Sequence, residues 1–101
     1  MKIIKRSGKE VEFNLDKILG AVIKANKEVV EDDRITDEQI RELAVKVQGI
    51  CASRTRSLSV EEIQDLVENE IMRLGAFNLA RTYITYRYKW YITIIVVKIL
   101  C

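Results

Sequence analysis

The chain has 101 residues, of which 49% are hydrophobic and 32% charged, with four Gly, no Pro, two Cys and no His. This length suits one domain, and this apolar content excludes a disordered chain, a collagen and a disulfide scaffold. Without His, His-based triads and His metal ligands are excluded, and two Cys are too few for a structural zinc site.

Charge is unevenly distributed along the chain, although the formal net charge is only +2. Eleven of the fifteen acids fall within residues 31–42 and 61–70, whereas residues 81–101 hold four bases and no acid. The first seventeen residues hold five bases. The two basic ends are predicted either to meet around an anion, with the acidic stretches facing water, or to be ordinary solvated faces.

The first predicted element is a β-hairpin. Ile3 and Ile4 precede the turn pair Ser7-Gly8, and residues 10–13 then alternate polar and apolar side chains, as a half-buried strand does. A lone hairpin is marginally stable in water, so this one is expected to pack against another element.

Four amphipathic helices are predicted to follow, the first from Leu15 to about Val29. Asn14 is a favourable N-cap for it, because its short polar side chain can accept a backbone N–H bond. The fourth is predicted from about residue 77 or 78 to residue 89. The apolar residues that repeat at helical spacing are Leu15, Ile18, Leu19, Val22, Ile23, Val29 and Val30 in the first helix, Ile40, Leu43, Ala44, Val47, Ile50 and Cys51 in the second, Ile63, Leu66, Val67, Ile71 and Leu74 in the third, and Leu79, Ala80, Tyr83 and Ile84 in the fourth.

Capping residues predict the bounds of the second and third helices. Thr36 with Gln39 and Ser59 with Glu62 have the spacing of capping boxes, in which each side chain bonds the other residue's backbone N–H. Gly75 is placed to close the third helix in a left-handed conformation.

Residues 90–101 form an apolar tail, WYITIIVVKILC. The tail is too short for a transmembrane helix, which needs about 20 apolar residues, and its Ile and Val content favours a strand. It is interpreted as a third sheet strand, a partner interface, or an artefactual or truncated end of a longer reading frame. No signal peptide is recognised, so a cytoplasmic protein without membrane contact is expected.

All four Tyr and the only Trp lie between Tyr83 and Tyr91. Beside Arg87 and Lys89, these rings could stack on nucleobases, as in single-strand-binding proteins. Aromatic residues at helical spacing more often belong to a core, and a nucleic-acid module normally carries a stronger positive charge. Nucleic-acid binding is therefore an alternative and not the leading interpretation.

Three separated motifs resemble the ATP-cone family. Residues 3–18 read IIKRSGKEVEFNLDKI, which looks like the family's opening strand ending in Lys-Arg, its turn, its Val-x-Phe-Asn segment and its Lys-Ile at the helix start. Residues 60–68, VEEIQDLVE, and the motif Tyr83-Ile84-x-Tyr86-Arg87 are also similar to that family. The resemblance covers residues 2–89 in the family's order, and residues 1–89 are interpreted as the ATP-cone domain.

An ATP-cone is the N-terminal allosteric activity domain of many ribonucleotide reductases, and it also occurs in a zinc-ribbon repressor of their genes. The resemblance implies an α+β fold in which a small N-terminal β-hairpin or three-stranded sheet caps a four-helix bundle, in agreement with the predicted elements. It also implies an ATP and dATP site between the sheet and the helices. In reductases ATP at this site permits activity and dATP stops it, commonly by a change of oligomeric state.

The resemblance implies a nucleotide-binding set formed by Lys5, Arg6, Val11, Asn14, Lys17, Ile18 and Lys89. The cations would meet the triphosphate through charge-assisted hydrogen bonds, and Lys17 lies in the first helical turn, where backbone N–H groups favour anions. Asn14 would donate its amide to ribose or base as well as cap the helix, and the two apolar residues would be walls for adenine. Mg²⁺ is expected beside the phosphates. Each residue also has a structural interpretation as cap, core or surface charge.

No catalytic machinery is recognised in the chain. A reductase would contain a radical-bearing Gly loop, paired active-site Cys and a barrel of several hundred residues, so the chain by itself is not expected to be an enzyme. The large or anaerobic reductase subunit is the expected parent, since the repressor's zinc ribbon is missing. Three functions stay open: a nucleotide-sensing module, truncated or standalone, that associates with itself or with a reductase catalytic domain; a nucleic-acid-binding transcriptional regulator; and a protein-interaction domain that has lost nucleotide binding.

Overall fold

Two strands come first in the described part of the chain, and helices interrupted by one short third strand follow. The computed structural model describes residues 2–4, 7–12, 14–85 and 87. The elements are β1 (Lys2–Ile4), β2 (Glu10–Glu12), α1 (Leu15–Glu28), a 3₁₀ turn (Glu31–Asp33), α2 (Asp37–Ala52), β3 (Leu58–Ser59) and α3 (Val60–Arg73). A fourth helix, α4, comprises residues 77–85 and 87 of the described chain. The predicted α+β class is confirmed.

The described strands form one sheet in the order β2-β1-β3. β1 runs antiparallel to β2, with Ile3 opposite Val11, and parallel to β3, with Ile3 opposite Leu58. Gly8, in the turn between β1 and β2, has φ +85°, a left-handed conformation that glycine adopts without a steric penalty. The sequence pattern does not predict β3, because two residues are too few to show the alternation of a strand. β3 forms where the chain returns to β1 after α2.

A side-chain clamp holds the end of α1 against the start of α2. Asn26 is buried, and its Nδ2 donates to the Ile35 carbonyl at 2.9 Å while its Oδ1 accepts from the Ile35 N–H at 3.0 Å. Arg34 covers two carbonyls near the end of α1, donating from Nε to Val29 at 3.1 Å and from Nη2 to Lys27 at 3.2 Å. The connection is therefore fixed by satisfied polar groups and not by apolar packing alone.

Local hydrogen bonds set the start and end of the other helices. Both predicted capping boxes are confirmed: the Thr36 hydroxyl accepts from the Gln39 N–H at 3.1 Å and Gln39 Oε1 accepts from the Thr36 N–H at 2.8 Å, and Ser59 pairs with Glu62 in the same way. After α3, Gly75 adopts φ +77°, which confirms its predicted place as the residue that closes the helix.

One apolar core joins the four helices to the sheet. Its buried members are Val22, Ala25, Val29, Ile35, Ile40, Leu43, Val47, Cys51, Leu58, Ile63, Val67, Ile71, Leu79, Ala80 and Tyr83. Four residues of the predicted stripes are instead exposed, with Val30 at 67% and Ile84 at 42% and also Ile23 and Leu74. Val30 lies beyond the last turn of α1, where helical periodicity no longer applies. Ile84 is one residue after buried Tyr83, which rotates it by about 100° around the helix.

The predicted apolar tail, residues 90–101, lies outside the described residues. Its three interpretations therefore stay predictions. Of the helices that the structure describes, none combines the length and the apolar composition that a bilayer span requires.

Candidate functional site

The start of α1 brings together two of the predicted nucleotide contacts, Asn14 and Lys17. Asn14 is the N-cap of α1, and its Oδ1 accepts from the Asp16 N–H at 3.0 Å. The Asn14 carbonyl accepts from the Lys17 N–H at 3.2 Å. Both Asn14 and Lys17 are exposed. The cap uses the amide oxygen of Asn14, and no described residue takes a hydrogen bond from its Nδ2, so this amide can donate elsewhere without loss of the cap.

At the start of α1 the Lys17 ammonium attracts an anion more strongly than the N-terminal end of the helix does. Asn14 already satisfies the N–H groups of Asp16 and Lys17, and Asp16 adds a negative charge to the first turn. Anion binding at a helix start depends on free N–H groups and on the helix dipole, and both contributions are reduced here.

The other predicted contacts are described in part or not at all. Val11 lies in β2 opposite Ile3, and Ile18 lies in the first half of α1; their side chains are outside the described part of the structure. Lys5, Arg6 and Lys89 lie outside the described residues. Lys5 and Arg6 follow β1 directly in the chain, and β1 is the central strand of the sheet.

Lysines at this end of the molecule differ in whether a carboxylate neutralises them. Lys2 pairs with Glu12 at 2.9 Å, and that hydrogen bond raises the pKa of Lys2 and lowers the pKa of Glu12. Lys9, in the turn before β2, and Lys17 form no ion pair with any residue that the structure describes. Lys9 and Lys17 are therefore not held by an ion pair to a described residue, although Glu10, Glu12 and Asp16 lie in the same segment.

Gln64 is a candidate contact that sequence reasoning missed. Its Oε1 is buried and, within the described chain, has no hydrogen-bond partner. A buried acceptor without a donor costs roughly 1–3 kcal/mol, so this atom calls for a donor from a water molecule or from a ligand. Gln64 lies on α3, which begins directly after β3. The available signal was its place in the VEEIQDLVE motif, next to the buried Ile63.

Arg87 is bonded to three carboxylates of α3. Its Nη2 donates to Glu61 Oε2 at 3.0 Å, and its Nη1 donates to Asp65 Oδ1 at 3.0 Å and to Glu68 Oε1 at 2.6 Å. We call these four residues the Arg87 hub. The side chains of Arg87 and Glu68 are only 18% and 14% exposed. Burial lowers the pKa of Arg87, but the carboxylates raise it by more, so it lies above its usual value.

The Arg87 hub corrects two expectations about charge. The acidic stretch at residues 61–70 does not simply face water, because three of its carboxylates bind Arg87. Arg87 in turn is not available to a phosphate. Tyr83 belongs to the core, and its burial raises its pKa to about 12. The described part of the aromatic segment therefore packs inward, and its other rings lie outside the described residues.

The described residues do not form a preformed metal site. Among them, no group of three or more Cys, Asp or Glu side chains is arranged to hold a metal ion. Mg²⁺ usually binds through one or two carboxylates together with substrate phosphates. The expected magnesium ion therefore has no dedicated set of ligands in this part of the chain.

The chain is similar to a known domain family and to parts of longer proteins. The family model described as "ATP cone domain" matches residues 1–91. Over 95 residues the chain is 30% identical to the ribonucleoside-diphosphate reductase subunit alpha of Chlamydia trachomatis. The aligned segment covers 86% of this chain and 9% of that protein. Over 91 residues it is 31% identical to the anaerobic ribonucleoside-triphosphate reductase of Haemophilus influenzae. This aligned segment covers 85% of the chain and 12% of that protein. The chain thus spans about a tenth of the length of these relatives, and the match over residues 1–91 shows that it belongs to the ATP-cone domain family.

Proposed function

We propose that this chain is a regulatory module that binds ATP and dATP and thereby controls a ribonucleotide reductase. Family membership over residues 1–91 supports a nucleotide-sensing role, and the relatives are reductase chains of far greater length. The observation that carries the proposal is Lys17, exposed and without an ion pair to any described residue, beside the Nδ2 donor of Asn14 at the start of α1.

In this proposal the two ends of the nucleotide meet different groups. Lys5, Arg6, Lys17 and Lys89 bind the phosphates, because cations form the strongest hydrogen bonds with phosphate oxygens. Asn14 donates to the ribose or the base. A magnesium ion arrives with the phosphates instead of occupying a protein site of its own.

The adenine end is formed by apolar walls and one acceptor. Val11 and Ile18 flank the base, and Gln64 Oε1 accepts a hydrogen bond from an N–H or O–H group of the nucleoside. This contact would satisfy a buried oxygen that lacks a donor in the described residues.

The regulatory step is a shift between association states. A nucleotide shifts such an equilibrium only through its different affinity for the two states. ATP and dATP differ by one hydroxyl, and a site that hydrogen-bonds this hydroxyl can discriminate them. The partner in the proposed assembly is a second copy of the module or a reductase catalytic domain.

A calorimetric titration with ATP and dATP tests the site. Lys17→Ala is expected to weaken binding by about ten- to a hundredfold, since a hydrogen bond to a charged group contributes about 1.5–3 kcal/mol. Lys24→Ala is the matched control, because Lys24 is exposed on the same helix about two turns further along. Equal affinities of the wild type and a folded Lys17→Ala variant would contradict the site.

The same titration separates the other two functions. Binding of a short oligonucleotide but of neither nucleotide would indicate the nucleic-acid regulator. Two observations argue against that function. Arg87 is bonded to carboxylates and Tyr83 is buried, so neither side chain is free to contact a nucleic acid. Binding of none of the three ligands would indicate a protein-interaction domain.

A further inference from the structure

The Arg87 hub braces α4 across two turns of α3. Besides its bonds to the three carboxylates, Arg87 Nη2 donates to the backbone carbonyl of Glu61 at 3.4 Å. Glu61 and Glu68 are seven residues apart, which is about two helical turns. One guanidinium therefore fixes α4 to the first half of α3, the half that follows β3 and carries Gln64.

Gln64 lies on the helix face that Arg87 covers. It follows Glu61 by three residues and precedes Glu68 by four, and these two spacings place side chains on the same face of a helix. The Gln64 oxygen is nevertheless without a hydrogen bond in the described chain, although a guanidinium with five N–H donors binds both of its neighbours.

Carboxylates bind the guanidinium donors on this face of α3. A guanidinium–carboxylate hydrogen bond gains from two opposite charges, whereas a guanidinium–amide bond has only one charged partner. Three carboxylates around one cation occupy both terminal nitrogens of Arg87. Glu61, Asp65 and Glu68 thus bind the guanidinium on the helix face that also carries Gln64.

We infer that Arg87 and its three carboxylates form a positioning device for the nucleotide site: they hold the first half of α3 in place and keep the Gln64 oxygen open for a donor of the bound nucleoside. This inference rests on the proposed function, because the donor belongs to the nucleotide. It assigns a role at the nucleotide site to residues that do not themselves contact the phosphates.

The affinity for ATP of two hub variants and one control tests the inference. Glu68→Ala removes the closest carboxylate and releases a donor toward Gln64. Arg87→Lys keeps the charge but replaces the planar fork by a point donor that cannot span the same acceptors. Lys46→Ala is the control, since it breaks another ion pair of α3, Lys46 with Glu70 at 3.0 Å, outside the hub.

We expect Glu68→Ala and Arg87→Lys to weaken ATP binding by about three- to thirtyfold, a range typical of residues coupled in one hydrogen-bond network. Lys46→Ala should lower the thermal midpoint without changing the affinity. The sign of the Glu68→Ala effect is decisive, because removal of a negative charge by itself favours binding of an anion.

Titrations at a temperature at which every variant is folded give a clear result. Unchanged or tighter ATP binding by Glu68→Ala overturns the inference, as does an equal loss of affinity in Lys46→Ala. Should Glu68→Ala not fold, the affinity of Arg87→Lys decides by the same criterion. Failure of the wild type to bind ATP would instead overturn the proposed function, and the inference with it.

Discussion

Single residues show how burial changes chemistry in this small domain. Tyr83 is 4% exposed and carries its phenol into the core beside the Arg87 hub. Burial raises its pKa to about 12, an effect that the charge of Arg87 opposes and that of Glu68 assists. The neutral phenol is therefore the form that the folded state favours.

Tyr83 predicts a loss of stability at high pH. Its pKa rises from 10.0 in the unfolded chain to about 12 in the folded protein, so its contribution is complete below pH 10 and is lost as the pH rises through about 12. This difference amounts to about 2.7 kcal/mol at most. Denaturant unfolding between pH 8 and pH 12 should show that Tyr83→Phe loses less stability than the wild type over that interval. Parallel pH profiles of the two proteins would contradict the assignment.

At the scale of elements, side chains at the helix ends carry much of the organisation. The Asn26 clamp joins α1 to the segment before α2 through two hydrogen bonds to Ile35. The capping boxes at Thr36 and Ser59 start α2 and α3. Each of these contacts satisfies N–H or C=O groups that a helix end or a connection would otherwise leave unpaired.

The capping box of α2 predicts a modest, measurable loss of stability. Thr36→Ala should lower the free energy of unfolding by about 0.5–2 kcal/mol, because the hydroxyl that accepts from the Gln39 N–H is removed. Thr55→Ala is the matched control, since Thr55 is exposed in the loop after α2 and should change stability by less than about 0.5 kcal/mol. Equal urea midpoints for both variants would show that the box contributes nothing.

At the scale of the whole molecule, the proposed regulation requires a change of association state. Several large apolar side chains are exposed on the described surface, among them Val30, Val45 and Phe77. Association would remove some of this surface from water, which is favourable by roughly 25 cal/mol per Å². A nucleotide then selects the assembly for which it has the higher affinity.

ATP and dATP are accordingly expected to favour different association states of this chain. A coupling of about 1–3 kcal/mol is typical of allosteric systems and shifts an association constant by roughly 5- to 150-fold. Sedimentation velocity of the full chain with saturating ATP, with saturating dATP and without nucleotide measures the shift. Identical sedimentation coefficients, with both nucleotides bound, would show that the switch requires a further domain and that this chain acts only as the receptor.

Features that depend on neighbours along the chain could be predicted from the amino-acid sequence. The Asn14 cap, the two capping boxes and the closing Gly75 all rest on bonds or backbone conformations within a few residues, so spacing predicts them. The family match over residues 1–91 confirms the motif reading as well. Asn14 and Lys17 lie in one local motif at the start of α1. Their role as nucleotide contacts follows from the resemblance to the family and stays a prediction.

The tertiary structure alone decided the features that join distant segments. β3 exists because Leu58 returns beside Ile3, and the Arg87 hub exists because α4 packs on carboxylates 19 to 26 residues earlier in the chain. The positions of charged residues in the sequence do not show which base pairs with which acid. Arg87 was therefore expected at the surface, together with the other bases. The open oxygen of Gln64 likewise depends on what surrounds it in three dimensions, because burial and partner are properties of the packed molecule and not of the residue type.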